Sequence, residues 1–196
     1  MILDVLVVGA GLSGMHLAQR LSLVKQCQFK LLEASGLVGG RLRNDNVHNQ
    51  IDLGGAWIWP EFQPKMARLV SSLGVQTFAQ PDDPSSTRIV GGAVRLVEKL
   101  AEQVPSDNIK LNSPVISCSL KKNNTASNDS QTCSEGDYIE IKTANQEVFQ
   151  AKRVVFAAPP KLIAKHITFD PPLNTEKWHA MMQSETWMAG TSSRKS

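Results

Sequence analysis

Three glycines with the spacing Gly-x-Gly-x-x-Gly, namely Gly9, Gly11 and Gly14, separate a short apolar run from a stretch with helical periodicity. In such a pattern the first glycine permits a tight turn, the second lets the backbone approach a pyrophosphate, and the third lets helix and strand pack closely. The N-terminus of the following helix offers free N–H groups and a partial positive charge to phosphate oxygens. The spacing therefore predicts a loop that binds the pyrophosphate of a dinucleotide.

Two polar residues add to this interpretation. Ser13 lies inside the glycine pattern and can offer a hydroxyl donor to the phosphates, and Glu33 lies 19 residues after Gly14, where a second strand-like run ends. A carboxylate at this place can accept hydrogen bonds from both ribose hydroxyls of an adenosine, and it disfavours a 2′-phosphate. A lone glycine pattern is also typical of an ordinary turn, but here strand, helix and acid all stand where dinucleotide binding requires them.

A second glycine turn, Gly39-Gly40-Arg41, begins six residues after Glu33. Paired glycines allow a turn too tight for side chains, and the guanidinium of Arg41 can bind a phosphate in a bidentate manner. An isolated Gly-Gly-Arg is also typical of a flexible surface turn. Its closeness to the expected ribose acid favours the phosphate interpretation.

A third constellation places Gly54 and Gly55 inside the strand-like stretch 51–59, followed by Trp57 and Trp59. Glycines within a strand indicate the close approach of another backbone or of a ligand, here a flat ring. Core packing explains the two tryptophans equally well, so both interpretations stay open.

The elements that must position these residues follow from hydrophobic periodicity. Residues 5–8 form an apolar run typical of a strand buried on both faces of a parallel sheet, and a helix with an apolar face and a second strand complete a βαβ unit. We expect helices at 15–24, 64–73 and 94–104, a polar linker at 81–86, strands at 29–32, 109–111, 115–120, 138–142 and 147–150, and a second buried strand at 154–158.

Composition excludes several classes of protein. The hydrophobic fraction of 41% is enough for a core, and a net charge of +3 is too small to favour a nucleic acid or an anionic membrane as partner. An apolar run long enough to span a membrane is absent from the sequence, as is room for a targeting peptide before the first strand. We therefore expect a cytoplasmic globular protein.

The cysteines and histidines show no spacing typical of a metal site or a disulfide framework. Cys27, Cys118 and Cys133 are an odd, widely spaced set, which indicates free thiols in a reducing compartment. Residues 121–137 are rich in Asn, Ser, Thr and Lys and predict a mobile loop. Its two glycosylation patterns, beginning at Asn123 and Asn128, are interpreted as chance matches.

In their order along the chain these motifs resemble the flavin-containing amine oxidases, which include monoamine oxidases, polyamine oxidases and flavin-dependent histone demethylases. Nicotinamide dehydrogenases share only the first glycine motif with this chain. The resemblance touches most of the sequence and rests on residues 7–14, 32–34, 39–41, 52–57, 90–92, 154–160 and 169–173.

The resemblance implies FAD as cofactor and a small-molecule amine as substrate. A hydride would pass from the carbon beside the amine nitrogen to the flavin, and dioxygen would reoxidise the flavin and form hydrogen peroxide. The catalytic residues stay unknown and no metal is expected. The implied cofactor-binding residues are Gly9, Gly11, Ser13 and Gly14 at the pyrophosphate, Glu33 at the ribose, Gly40 and Arg41 along the phosphates and ribityl chain, Gly54, Gly55, Ala56 and Trp57 at the isoalloxazine, and Val115 at the adenine.

The fold that we predict is an α/β, Rossmann-like FAD-binding domain, a parallel sheet with flanking helices and a small inserted β-rich region. Its parallel sheet contains the strands that begin at Val5, Phe29 and Val154. We expect an N-terminal FAD-binding part at 1–80, a linker and helix at 81–108, the β-rich insert at 109–150, and a truncated return to the FAD-binding domain at 151–196.

Two departures from the family's pattern lead us to expect a partial copy of the enzyme. Between Phe78 and Arg88, where the family inserts part of its substrate domain, this chain has nine residues. At the place of the family's active-site lysine our alignment puts Ser193, with Lys195 two positions away. The alternative function is accordingly a catalytically inactive FAD-binding fragment or splice product. The amine, covalent attachment of the flavin and the oligomeric state are not predicted.

Overall fold

The computed structural model describes residues 1–45, 51–122 and 136–185, and across these residues it contains ten strands, five α-helices and one short 3₁₀ helix at Ser106–Asn108. The strands are β1 (Leu3–Val8), β2 (Phe29–Leu32), β3 (Trp57–Ile58), β4 (Thr77–Ala79), β5 (Thr87–Ile89), β6 (Ile109–Lys110), β7 (Val115–Lys121), β8 (Tyr138–Thr143), β9 (Val148–Phe156) and β10 (Thr168–Asp170). The helices are α1 (Leu12–Ser22), α2 (Pro64–Ser72), α3 (Val94–Ala101), α4 (Pro160–His166) and α5 (Thr175–Gln183).

A seven-stranded sheet with the order β10-β7-β8-β9-β1-β2-β6 organises the molecule. The half that contains β9, β1, β2 and β6 is parallel, with Val7 opposite Leu31 on one side and Val155 on the other. The connection from β1 through α1 to β2 is the βαβ unit that the sequence predicts. The expected α/β, Rossmann-like fold class is therefore confirmed.

The other half of the sheet is formed by the antiparallel strands β7, β8 and β9, and β10 pairs with β7 in parallel at the edge. Strands β7 and β8 lie in the predicted β-rich region at 109–150, yet they continue the same sheet because β9 pairs with β8 on one side and β1 on the other. One strand thus replaces the two that we predict at 147–150 and 154–158.

The core covers both faces of β1, as its continuous apolar run predicts. Leu6 and Val8 pack with Leu32, Val115 and Ile141 on one face. On the other face Val7 packs with α1 and α3 through Met15, Ala18, Val97 and Leu100, all of which are fully buried. Full burial of each large aliphatic side chain stabilises the fold by about 1.5–3 kcal/mol.

The end of β9 is buried less than predicted. Val154 and Phe156 pack into the core on one face, but Val155 on the other face is 39% exposed. Helix α1 lies against β1 and β2, so the helical layer that covers Val7 leaves Val155 partly uncovered. Burial on both faces is correct for β1 and wrong for this strand.

A second, three-stranded sheet with the order β3-β5-β4 lies beside helix α2. Its first strand is only two residues long, although the sequence predicts a strand-like stretch from 51 to 59. Asp52 lies outside β3 and forms only an isolated antiparallel bridge with Asn44, while its carboxylate bonds to Arg88 and to the start of α3. Among the described helices, none is long and apolar enough to cross a membrane.

Several expectations fall on residues that the structure does not describe. They are the glycosylation patterns and most of the predicted loop at 121–137, with Cys133, and also His48 and the C-terminal stretch with Ser193 and Lys195.

Candidate functional site

The Gly-x-Gly-x-x-Gly motif forms the turn between β1 and α1. Gly9 has a φ of +108° and donates its N–H to the carbonyl of Leu32 at 2.8 Å. A Cβ on Gly14 would lie 1.9 Å from the carbonyl oxygen of Gly9, so only glycine allows the helix to start this close to the strand. The first and third glycines thus have the roles that the sequence predicts for them.

The second glycine of the motif faces open space. A Cβ on Gly11 would meet no atom within 4 Å, while the φ of −71° is one that any residue adopts. Gly11 is the N-cap of α1, its carbonyl accepts the first helical bond from Met15, and no side chain caps this N-terminus. Ser13 is exposed on the first turn. An open cradle beside an uncapped helix N-terminus fits a pyrophosphate.

Glu33 ties the glycine loop to the end of β2. Its Oε2 accepts the Ala10 N–H at 2.7 Å, and its Oε1 accepts both the N–H and the hydroxyl of Ser35 at 2.9 Å. A carboxylate has about four acceptor positions, so one direction stays available for a ligand hydroxyl. The side chain is half-buried at the edge of the sheet, next to the helix N-terminus.

The chain returns to Glu33 a second time through the segment that leads into β7. The Glu33 N–H bonds to the Lys110 carbonyl, and the Glu33 carbonyl accepts from Ser113 at 2.8 Å. Val115 follows two residues later, buried against the core beside Leu32, with a bulge after it. The structure therefore brings Val115 close to the predicted ribose acid, although 82 positions separate the two in sequence.

The second glycine turn packs directly on the first. Gly39 donates its N–H to the Ala10 carbonyl at 2.9 Å and forms a bridge with Gly11. Gly40 has a φ of +58°, and a Cβ there would lie 3.2 Å from the Cα of Gly11. The side chain of Arg41 is exposed beside this contact. The turn is thus held in place rather than free at the surface.

The third glycine motif continues the same assembly. A Cβ on Gly54 would lie 1.8 Å from the Arg41 carbonyl, and Leu53 donates its N–H to Arg43 at 2.7 Å. A Cβ on Gly55 would come within 3.1 Å of the Leu42 side chain. All three glycine motifs therefore meet at the carboxyl end of β1, where open α/β sheets bind their ligands.

The residues after this motif divide between the core and the surface. Ala56 and Ile58 are buried, while Trp57 is 46% exposed, which rules out full core packing for this indole. The guanidinium of Arg88 lies 5.7 Å from the centre of the Trp57 ring. Trp59 donates its indole N–H to Asp83 at 3.3 Å. Hydrogen bonds, led by that from the Ser85 hydroxyl, lower the pKa of Asp83.

Sequence reasoning missed four polar residues at this edge. Ser35 holds Glu33, and Arg43 donates to the Gly40 carbonyl at 3.1 Å. Asp52 pairs with Arg88 across 36 positions. The first two lie within ten residues of Glu33 and were detectable as polar neighbours of the motif, whereas nothing in the sequence signals the third contact.

The described part of the chain contains no group of three His, Cys, Asp or Glu that could hold a metal ion. Cys27 and Cys118 are free thiols, and burial raises the pKa of Cys118 to about 11. An environment that disfavours the thiolate is typical of an inert cysteine.

Comparison with known families decides the assignment. The family described as flavin containing amine oxidoreductase matches residues 82–192, which is more than half of the chain. The chain belongs to this family. A second family, the NAD(P)-binding Rossmann-like domain, matches residues 7–73, where the βαβ unit and the three glycine motifs lie.

Curated relatives include animal flavin-containing amine oxidases. Amine oxidase B of Rattus norvegicus is 42% identical over 80 residues, which are 38% of this chain and 14% of the rat enzyme. An amine oxidase of Danio rerio is 31% identical over 99 residues, or 50% of this chain and 16% of the fish enzyme. The matched region thus spans about one-seventh of the length of these relatives.

Solved structures share the fold. A putrescine oxidase has a TM-score of 0.73 at 18% identity, and the match covers 93% of this chain and 63% of the oxidase. Cyclohexylamine oxidase from Brevibacterium oxydans has a TM-score of 0.74 at 15% identity, with the same coverage. The family assignment makes FAD the cofactor of this fold, and the cradle at Gly11 fits its pyrophosphate.

Proposed function

We propose that this chain binds FAD at the carboxyl end of β1 and takes part in the oxidation of a small-molecule amine. The observation that carries the proposal is the meeting of three glycine motifs around Gly11, beside an uncapped helix N-terminus and the carboxylate of Glu33. Each of these features serves a different part of a dinucleotide.

The N-terminus of α1 holds the pyrophosphate in this proposal. Its N–H groups and partial positive charge favour phosphate oxygens, and the missing side chain at Gly11 leaves room for them. Ser13 adds a hydroxyl donor, and the exposed guanidinium of Arg41 neutralises phosphate charge. Gly9 and Gly14 act indirectly, because they let the loop and helix reach this geometry.

Glu33 and Val115 bind the adenosine part of FAD in this proposal. The remaining acceptor direction of the Glu33 carboxylate receives a ribose hydroxyl, while Ala10 and Ser35 hold the carboxylate in position. Val115 offers backbone at the adjacent strand end for the adenine. Gly40 lies between the loop and the ribityl chain, as its contact with Gly11 permits.

The segment containing Gly54, Gly55, Ala56 and Trp57 lies along the isoalloxazine. Gly54 and Gly55 let this segment pack closely on Arg41 and Leu42 of the second glycine turn, and the half-exposed Trp57 would exclude water from one side of the ring. Bound FAD supplies a hydride acceptor for the carbon beside the amine nitrogen and passes the electrons on to dioxygen. The chain's part is to bind, orient and shield that cofactor.

The substrate class comes from the relatives, whose names describe flavin-containing amine oxidases, a putrescine oxidase and a cyclohexylamine oxidase. We propose a small-molecule amine and a cytoplasmic location for this chain.

An anaerobic reduction assay tests the activity. The purified chain is loaded with FAD, freed of excess cofactor and mixed with mono-, di- and polyamines in the absence of dioxygen. We expect the oxidised flavin spectrum to bleach with at least one amine and hydrogen peroxide to form when air is admitted. FAD that stays oxidised with every amine leaves binding without turnover, and a chain that retains no FAD overturns the proposal altogether.

A further inference from the structure

We infer that Asp52 is a positioning residue. It holds Arg88, and Arg88 in turn holds the Trp57 indole where it shields one side of the proposed flavin site from water. The inference deepens the proposed function and rests on it for the identity of the ligand. The contacts that support it run from the start of α3 through Asp52 and Arg88 to Trp57.

The Asp52 carboxylate is the buried centre of this chain. Only 2% of its side chain is exposed, and both oxygens are bonded: Oδ2 to Arg88 Nη2 at 2.9 Å and Oδ1 to the Ala93 N–H at 2.7 Å. A carboxylate this deeply buried requires such partners. Its two bonds join the segment of the third glycine motif to β5 and to the start of α3.

Helix α3 is itself a rigid anchor. Val97 and Leu100 pack against Met15 and Ala18 of α1, the helix that begins at the glycine loop. The bond from the Ala93 N–H to Asp52 therefore attaches the third glycine motif to the helices α3 and α1. The N-terminus of α1 is also where the pyrophosphate would bind. The same pair of helices would thus position both the pyrophosphate and the isoalloxazine of FAD.

Arg88 transmits this position to Trp57. The two residues are direct cross-strand partners in β3 and β5, and the guanidinium lies 5.7 Å from the ring centre. Its Nε is buried and has no hydrogen-bond partner among the described residues, while its Nη2 donates to Asp52 at 2.9 Å, and this bond restrains the position of the guanidinium. A flat cation held in this way restrains a half-exposed indole on one face.

The variant that tests the inference is Asp52→Asn, with Asp4→Asn as matched control. Asp4 also pairs with a cation, Lys152 at 2.7 Å, and also accepts a backbone N–H, from Gln28 at 2.9 Å. It lies at the opposite end of β1 from the glycine loop. Both changes remove one carboxylate charge and keep the side-chain size.

Two readouts are taken on the full chain labelled with 5-fluorotryptophan. Fluorine NMR without FAD follows the Trp57 resonance, assigned by its loss in Trp57→Phe, and a titration gives the dissociation constant for FAD. Asp52→Asn is expected to shift or broaden the Trp57 signal and to weaken FAD binding about tenfold, because Arg88 no longer holds Trp57 at the flavin site. Asp4→Asn is expected to do neither.

A double variant separates positioning from general stability. Asp52→Asn combined with Arg88→Gln removes the unpaired, partly buried charge of Arg88, so its unfolding midpoint is expected to recover toward the parent value. Positioning predicts that FAD binding and the Trp57 signal do not recover with it, whereas recovery of both overturns the inference. An unchanged Trp57 signal in Asp52→Asn also overturns it, and a parent chain that binds no FAD defeats the proposed function instead.

Discussion

Glu33 accepts three hydrogen bonds, from the Ala10 N–H and from the N–H and hydroxyl of Ser35. Its carboxylate therefore orders the site before any ligand arrives, because it ties the glycine loop to the residues after β2. A preorganised acceptor loses little entropy when a ribose hydroxyl binds. The sequence predicts the acid and its place, but the bonds to Ala10 and Ser35 depend on a loop conformation that spacing does not define.

Glu33→Ala is expected to weaken FAD binding roughly 10- to 100-fold, which corresponds to the loss of about 1.5–3 kcal/mol from a charged hydrogen-bond acceptor. A fluorescence titration with FAD measures the change. Glu147→Ala is the control, since Glu147 is also a half-buried glutamate with a polar partner, Lys110 at 2.7 Å. Equal dissociation constants for the two variants would show that Glu33 does not contact the cofactor.

The burial of Cys118 predicts how the alkylation rate of its thiol depends on pH. Burial raises its pKa to about 11, so at pH 8 only about one molecule in a thousand carries the reactive thiolate. In a variant with Cys27→Ser and Cys133→Ser, the alkylation rate is expected to rise about tenfold for each pH unit between 8 and 10. A rate that levels off below pH 9 would contradict this placement of the thiol.

At the scale of elements, the glycine loop shows why two chemically identical residues have different roles. Gly14 is required by packing, because a Cβ there would collide with the Gly9 carbonyl at 1.9 Å. Gly11 is free of that demand, with no atom within 4 Å of its Cβ position and an ordinary φ. Packing therefore explains Gly14, while the open space at Gly11 leaves room for the pyrophosphate that we propose to bind there.

Two alanine variants test this distinction. Gly14→Ala is expected to lower stability by about 1–3 kcal/mol, as overpacking does, and to lower the unfolding midpoint accordingly. Gly11→Ala is expected to keep the parent midpoint and still lose most FAD binding, because its methyl group occupies the pyrophosphate cradle. Thermal unfolding and an FAD titration are compared for both. A Gly11→Ala variant that binds FAD like the parent would mean that the cradle lies elsewhere.

Across the whole molecule, features that depend on residues close in sequence are predicted well, and features that depend on contacts between distant residues are not. The βαβ unit and its site are set by local signals, namely an apolar run, three glycines and an acid at fixed spacing, and the structure has them where expected. Strand β9 differs, since it is one strand of nine residues because both neighbours pair with it along its length. The contact of Asp52 with Arg88 depends in the same way on tertiary packing, across 36 positions.

The two family matches cover different parts of the chain. The Rossmann-like match ends at residue 73 and the amine oxidoreductase match begins at residue 82, so strand β4 lies between the two matched regions. The sheet nevertheless continues through both regions, because β9 pairs directly with β1. The site that we propose at the carboxyl end of β1 accordingly draws on both matched regions: Glu33 comes from the first and Val115 from the second.

The stoichiometry of FAD on the purified chain tests most directly whether the carboxyl end of β1 binds this cofactor. The protein is incubated with excess FAD, passed through a desalting column, and its visible absorption is compared with its protein concentration. We expect a flavin spectrum that stays with the protein at about one FAD per chain, and loss of that spectrum in Gly11→Ala at an unchanged unfolding midpoint. A folded, colourless parent chain after this treatment would contradict the assignment of the site.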